Sequence, residues 1–129
     1  LLFDFIFMIV GVVSLFTGGI VIANILLASV VERVREIGTR MALGASGFDI
    51  FMHFLVQSLA ITMLGGLAGV LIGTGLTSTV EKVMKFPAYV TPGIFLLGLA
   101  TAGFVGLAAG IYPAWKAARM DPVEALRYG

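Results

Sequence analysis

The sequence contains no cysteine. That absence excludes a disulfide framework, a thiolate zinc site and a cysteine nucleophile. Charge is scarce too, at 12% of 129 residues, where a soluble domain carries about 25%. The net charge of +1 offers no general attraction to nucleic acid. No Asp, Glu, Lys or Arg lies between Asp4 and Glu32, between Asp49 and Glu81, or between Lys85 and Lys116. Uncharged interiors argue against a proton-driven carrier, a rotary-ring subunit and a voltage sensor, each of which needs an ionisable group in mid-membrane. There is no His-Glu-x-x-His zinc pattern, phosphate loop or carboxylate pair, so no catalytic residue, metal ligand or cofactor site is assigned to this chain.

What is present is apolar. Hydrophobic residues make up 60% of the chain, and the mean hydropathy is +1.11. A water-facing surface cannot be covered with so little polar material, so lipid is the solvent. A bilayer core takes about 20 residues of helix. Each uncharged stretch is longer, giving expected spans at about 5–31, 50–80 and 92–112. The fold class is therefore all-α and integral membrane, with three transmembrane helices. Residues 32–49 and 113–129 flank the spans on one side and 81–91 form a loop on the other. The apolar run begins at Leu1 and is too long for a signal-peptide core, so the chain reads as a piece of a longer protein.

Local signals mark the ends. Ser46 and Asp49 have capping-box spacing at the start of the second span. Thr91-Pro92 places a cap and then proline at the first helical position of the third. Tyr112-Pro113 is expected to kink or end that helix, because proline removes a backbone hydrogen bond. Asp121-Pro122-Val123-Glu124 opens a short helix towards Tyr128. Lys and Arg counts set orientation: Arg33, Arg35, Arg40, Lys116, Arg119 and Arg127 lie on one side, against Lys82 and Lys85 on the other. The positive-inside rule then puts 32–49 and the C-terminus in the cytoplasm, with the N-terminus and the 81–91 loop outside.

Between lipid-facing helices, close backbone approach drives association, and small residues permit it. Gly65, Gly69 and Gly73 recur every four residues in the second span, as do Gly98, Ala102, Gly106 and Gly110 in the third. The two spans are expected to pack through these stripes, within one chain or between two, with the facing of the stripes left open. Asn24 and Gln57 are expected to hydrogen-bond between helices, and His53, just inside the cytoplasmic end of the second span, to have an interfacial or a neutral hydrogen-bonded role and not that of a metal ligand.

The segment after the first span carries Val30, Val34, Ile37 and Met41 at helical spacing, with charges elsewhere. It is expected to prolong the first span as an amphipathic helix. Glu36 and Arg40 have the favourable i,i+4 order, and Gly44-Ala45-Ser46-Gly47 supplies the turn that follows.

The run Glu32-Arg33-Val34-Arg35-Glu36-Ile37-Gly38-Thr39-Arg40-Met41-Ala42-Leu43-Gly44-Ala45 resembles the first cytoplasmic segment of MacB/FtsX-type permeases of ABC transporters. Tyr112, Pro113, Ala117 and Ala118, followed by Pro122, Glu124, Ala125 and Leu126, resemble that family's C-terminal signature. The resemblance covers essentially the whole chain and implies a permease subunit of the bacterial inner membrane. It implies a further span and a large external domain before residue 1. It also implies a dimer of permeases with a partner or fused ATPase that binds ATP and magnesium, and for some members a periplasmic adaptor. Arg33, Arg35, Glu36, Ile37, Gly38, Arg40, Ala42, Gly44 and Ala45 match the family's coupling helix, with Glu36, Ile37, Gly38 and Arg40 expected to face the ATPase. The implied function is export, or mechanical work outside the membrane, driven by ATP hydrolysis. The alternative is a relay that regulates an external enzyme or sensor and exports nothing.

Overall fold

The computed structural model describes residues 1–85 and 87–128, with only the backbone of Tyr128. Phe86 in the expected external loop, and Gly129 at the end of the tail, lie outside the described residues. Five helices follow in order: α1 (Leu2–Glu32), α2 (Val34–Ala42), α3 (Gly47–Met84), α4 (Pro92–Ala118) and α5 (Pro122–Tyr128). Helices α1, α3 and α4 are long and apolar enough to cross a membrane. At 1.5 Å per residue they measure about 46, 57 and 40 Å, so all exceed the 30 Å hydrocarbon core. The protein is an all-α membrane domain of three spanning helices.

The ends follow the local chemistry. Ser46 Oγ accepts from the Asp49 N–H at 3.2 Å, and the Asp49 carboxylate accepts from the Ser46 N–H at 2.9 Å, completing the box. Pro92 is the first residue of α4. At the start of α5, Asp121 Oδ1 accepts from the Val123 N–H at 2.8 Å.

Three boundaries differ from the sequence reading. First, α1 does not continue into the amphipathic segment. Arg33 has φ −105° and ψ 17°, off the helical basin, and redirects the chain into a separate α2. Second, α3 continues through Glu81–Met84 and stops at Lys85, whose left-handed φ of 52° ends the helix before Pro87. Third, α4 runs through Pro113 to Ala118. Proline is accommodated in a membrane helix where neighbouring helices pack around it, and Pro113 is fully buried.

The α3–α4 interface corrects the pairing of stripes. A Cβ on Gly65, Gly69 or Gly73 would meet nothing within 4 Å, whereas one on Gly66 would lie 2.5 Å from Ala102 Cβ. A Cβ on Gly98 would reach Val70 at 3.0 Å, one on Gly110 would lie 2.6 Å from Ser58 Cβ, and one on Gly106 would collide with Thr62. The α4 stripe therefore packs on Ser58, Thr62, Gly66 and Val70. Ser58 Oγ donates to the Gly106 carbonyl at 2.5 Å, while Thr62 Oγ1 bonds back to the Ser58 carbonyl at 3.0 Å. A lipid solvent rewards close approach and internally satisfied hydroxyls, and this face of α3 supplies both. Asn24 is exposed on α1, and the buried Oε1 of Gln57 has no hydrogen-bond partner among the described residues. Neither makes the interhelical bond expected of it within this chain.

Candidate functional site

The charged segments meet at one end of the bundle. Here α2 lies against α5, and the ends of α1, α3 and α4 close on α2 from the other side. Val30, Ile37, Ile50, Phe54, Ala114 and Ala117 form one buried cluster, with Met41, Ala45, Phe51 and Met120 packed on it. This cluster draws on α1, α2, α3 and α4. Interiors of this kind are close-packed and transmit strain instead of absorbing it.

Contact with α5 is set by Gly38. A Cβ there would lie 2.7 Å from Ala125 Cβ and 3.5 Å from Leu126 Cγ. Glycine is required because the helices approach too closely for any side chain. Ala125 is buried on the other side of the contact. Gly38 and Ala125, 87 residues apart and one in each of the two segments that carry the family resemblance, thus meet in one packed contact. A second close approach fixes α3 on α4, since a Cβ on Gly47 would lie 2.9 Å from the Ala118 carbonyl oxygen.

The outer surface of this platform is charged. Arg33, Arg35, Glu36 and Arg40 are exposed. Arg40 donates to Glu36 at 2.6 Å, with both side chains about half exposed. A surface pair of this kind adds little stability, about 0.3–0.5 kcal/mol, and leaves its polar atoms open to a partner. Ala42 and Gly44 are also exposed, and Gly44 takes φ +104° in the turn. Ala45 is half-buried against the cluster.

Ile37 and Gly38, expected on the partner-facing side with Glu36 and Arg40, are buried. At 100° per residue, Ile37 shares a face of α2 with Val34 and Met41, and that face meets the core. Of the C-terminal residues, Pro113, Ala117 and Ala125 are buried, Pro122 and Ala118 half-buried, and Tyr112, Glu124 and Leu126 exposed.

Sequence reasoning missed two apolar side chains on this surface. Leu43 is 84% exposed and Phe48 69% exposed, on either side of the turn between α2 and α3. Their signal was a leucine beside Gly44 and a phenylalanine inside a capping box, positions where the helical pattern offers no inward face.

The Ser46 backbone N–H, followed by its hydroxyl, holds the Asp49 carboxyl below the ordinary value of 3.8. This cap precedes the uncharged stretch of α3. His53 lies edge-on to the Phe54 ring, centroids 5.6 Å apart. No group of three or more His, Cys, Asp or Glu side chains among the described residues is placed to hold a metal ion. The site's resources are charge, shape and mechanical continuity.

The family model described as FtsX-like permease C-terminal matches residues 8–122. A macrolide export ATP-binding/permease protein MacB of Syntrophobacter fumaroxidans is 42% identical over 119 residues, 92% of this chain and 17% of that protein. The MacB of Hyphomonas neptunium is 47% identical over 117 residues, 91% of this chain and 18% of that protein. An uncharacterized ABC transporter permease, YknZ of Bacillus subtilis, is 42% identical over 116 residues, 90% of this chain and 29% of that protein. The chain thus spans less than a third of these relatives' length. With a family match over residues 8–122 and relatives above 40% identity over nine-tenths of its length, the chain belongs to the MacB/FtsX-type family of ABC transporter permeases.

Proposed function

We propose that this chain is the force-receiving membrane portion of an ABC export permease. An ATPase, fused or separate, docks on the exposed surface of α2. Its closure on ATP and magnesium displaces α2, and α1, α3 and α4 carry the displacement to the far side of the membrane. The observation that carries this reading is the buried cluster joining α2 to all three spans. Glu36 and Arg40 are the contact residues, being exposed, charged and paired with each other on the surface of α2. Ile37 and Gly38 act from beneath, by seating α2 on the bundle and on α5.

The charge asymmetry supports placing this platform in the cytoplasm: six Lys and Arg flank the spans at the platform end and two at the other. Uncharged spans support work done on cargo outside the bilayer, since they offer no polar path through it. By analogy with the relatives' names, the work is export. A dimer of permeases, and for some systems an adaptor outside, completes the machine.

The test is a Glu36→Ala/Arg40→Ala double variant of the intact transporter. We expect ATPase activity to persist while export falls at least ten-fold, with the membrane fold intact. Normal export by the double variant refutes the assignment. Orientation is checked with a cysteine placed at Thr39, which should react with an impermeant reagent only from the cytoplasmic side.

A further inference from the structure

We propose that the seam between α1 and α4 is a binding site for one anionic phospholipid in the leaflet on the α5 side. A groove of about 490 Å³ runs between these helices, lined by Phe16, Ala23, Thr101, Phe104, Ala108 and Tyr112 among others. From Thr101 to Tyr112 is eleven helical steps, about 16 Å. One leaflet of a 30 Å hydrocarbon core is about 15 Å deep, so the groove has the length of one acyl chain's path from headgroup level to midplane.

The end of the groove identifies the headgroup. Residues 101, 104, 108, 112 and 115 follow at intervals of three and four and share one face of α4, and Arg119, the residue that caps the helix, follows Trp115 by four. That face passes from apolar lining into an aromatic and cationic cluster. Tyr112 stacks on Trp115 with ring centroids 6.4 Å apart, and the Arg119 guanidinium lies 4.7 Å from the Trp115 ring. Lys116 is exposed in the same turn. The ion pairs among the described residues join Leu1 to Asp4 and Arg40 to Glu36, so neither Arg119 nor Lys116 is neutralised by a carboxylate. Tyrosine and tryptophan mark headgroup depth. Two uncompensated cations there, directly below an acyl-length groove, complement a lipid phosphate.

The test is native mass spectrometry of the full-length protein, delipidated in detergent and returned to equal amounts of phosphatidylglycerol and phosphatidylcholine with identical acyl chains. The wild type should retain phosphatidylglycerol at least five-fold over phosphatidylcholine, about the factor expected for a single basic side chain at a lipid surface. Arg119→Gln/Lys116→Gln should bring the two lipids near parity, and Arg119→Lys should restore most of the preference. Ala108→Phe, which fills the groove, should lower retention of both lipids. Equal retention of the two lipids by the wild type overturns the proposal, whatever any variant does to folding. A chain-to-chain cross-link through Phe104→Cys in place of a lipid adduct would assign the groove to a second copy and also overturn it.

Discussion

Replacing Gly38 with alanine puts opposing effects on two neighbouring helices. Alanine is about 1 kcal/mol better than glycine inside a helix, so α2 alone should gain. The new Cβ, however, would sit 2.7 Å from Ala125 Cβ, where carbon atoms normally rest about 3.5–4.0 Å apart. Ala125 Cβ is one bond from the backbone and cannot rotate away, so α5 must retreat by about 1 Å. Overpacking of this kind costs about 1–3 kcal/mol. Because the gain in α2 is present whether or not α5 is docked, the docking of α5 should lose the overpacking cost itself, about 1–3 kcal/mol or about five- to 160-fold in its equilibrium. With only seven residues, an undocked α5 is too short to hold its helix in water. Hydrogen exchange on the intact transporter should show faster exchange at 122–128 and unchanged or slower exchange at 34–42. Ala125→Gly in the same chain should cost less than its effect in the wild type, giving a favourable coupling in a double-mutant cycle. Unchanged exchange in α5, or strictly additive mutations, would refute the close-approach argument.

The α3–α4 packing predicts an asymmetry among glycines. Gly106→Val should destabilise the detergent-solubilised protein by about 1–3 kcal/mol, because its Cβ collides with Thr62. Gly69→Val, with open space around it in this chain, should leave the thermal midpoint near that of the wild type, and equal losses would sink the assigned interface. Ser58→Ala removes the bond to the Gly106 carbonyl and should cost about 0.6 kcal/mol, at most about 1.7, read from the same midpoint. The cap at Asp49 has a pH signature. Its carboxyl is lowered in the folded state, so its contribution is present above the ordinary value of 3.8 and is lost as pH falls through the lower folded value. Amide protection over residues 47–50 should decline in that acid range, and Ser46→Ala should weaken the dependence; an identical profile in the variant would argue against the cap.

Much of the platform was legible because its signals are local. The Ser46–Asp49 box, proline at the start of α4, and the Glu36–Arg40 spacing each involve residues within one turn, and each forms as the spacing dictates. The sequence periodicity also separated Ile37 from Glu36 and Arg40. The family resemblance grouped them, because a motif is read along the chain while a helix distributes its members around an axis. The role of Gly38 was not legible: alone it reads as a weak point in α2, and only the presence of Ala125 against it makes it a contact.

The sequence by itself determined three lipid-spanning helices, the Ser46–Asp49 cap of α3 and a charged segment between two of them. Those features depend on hydropathy and on hydrogen bonds within a few residues. Only the tertiary structure decided which face of α3 meets α4. Residues 65 and 66 both offer small side chains 100° apart around the helix, and in lipid the hydrophobic effect does not discriminate between faces. Close approach and the hydroxyl of Ser58 select the 58–62–66 face over 65–69–73. Tertiary packing alone likewise joined α2 to α5, because a glycine and an alanine far apart in sequence declare their partnership only when their backbones touch.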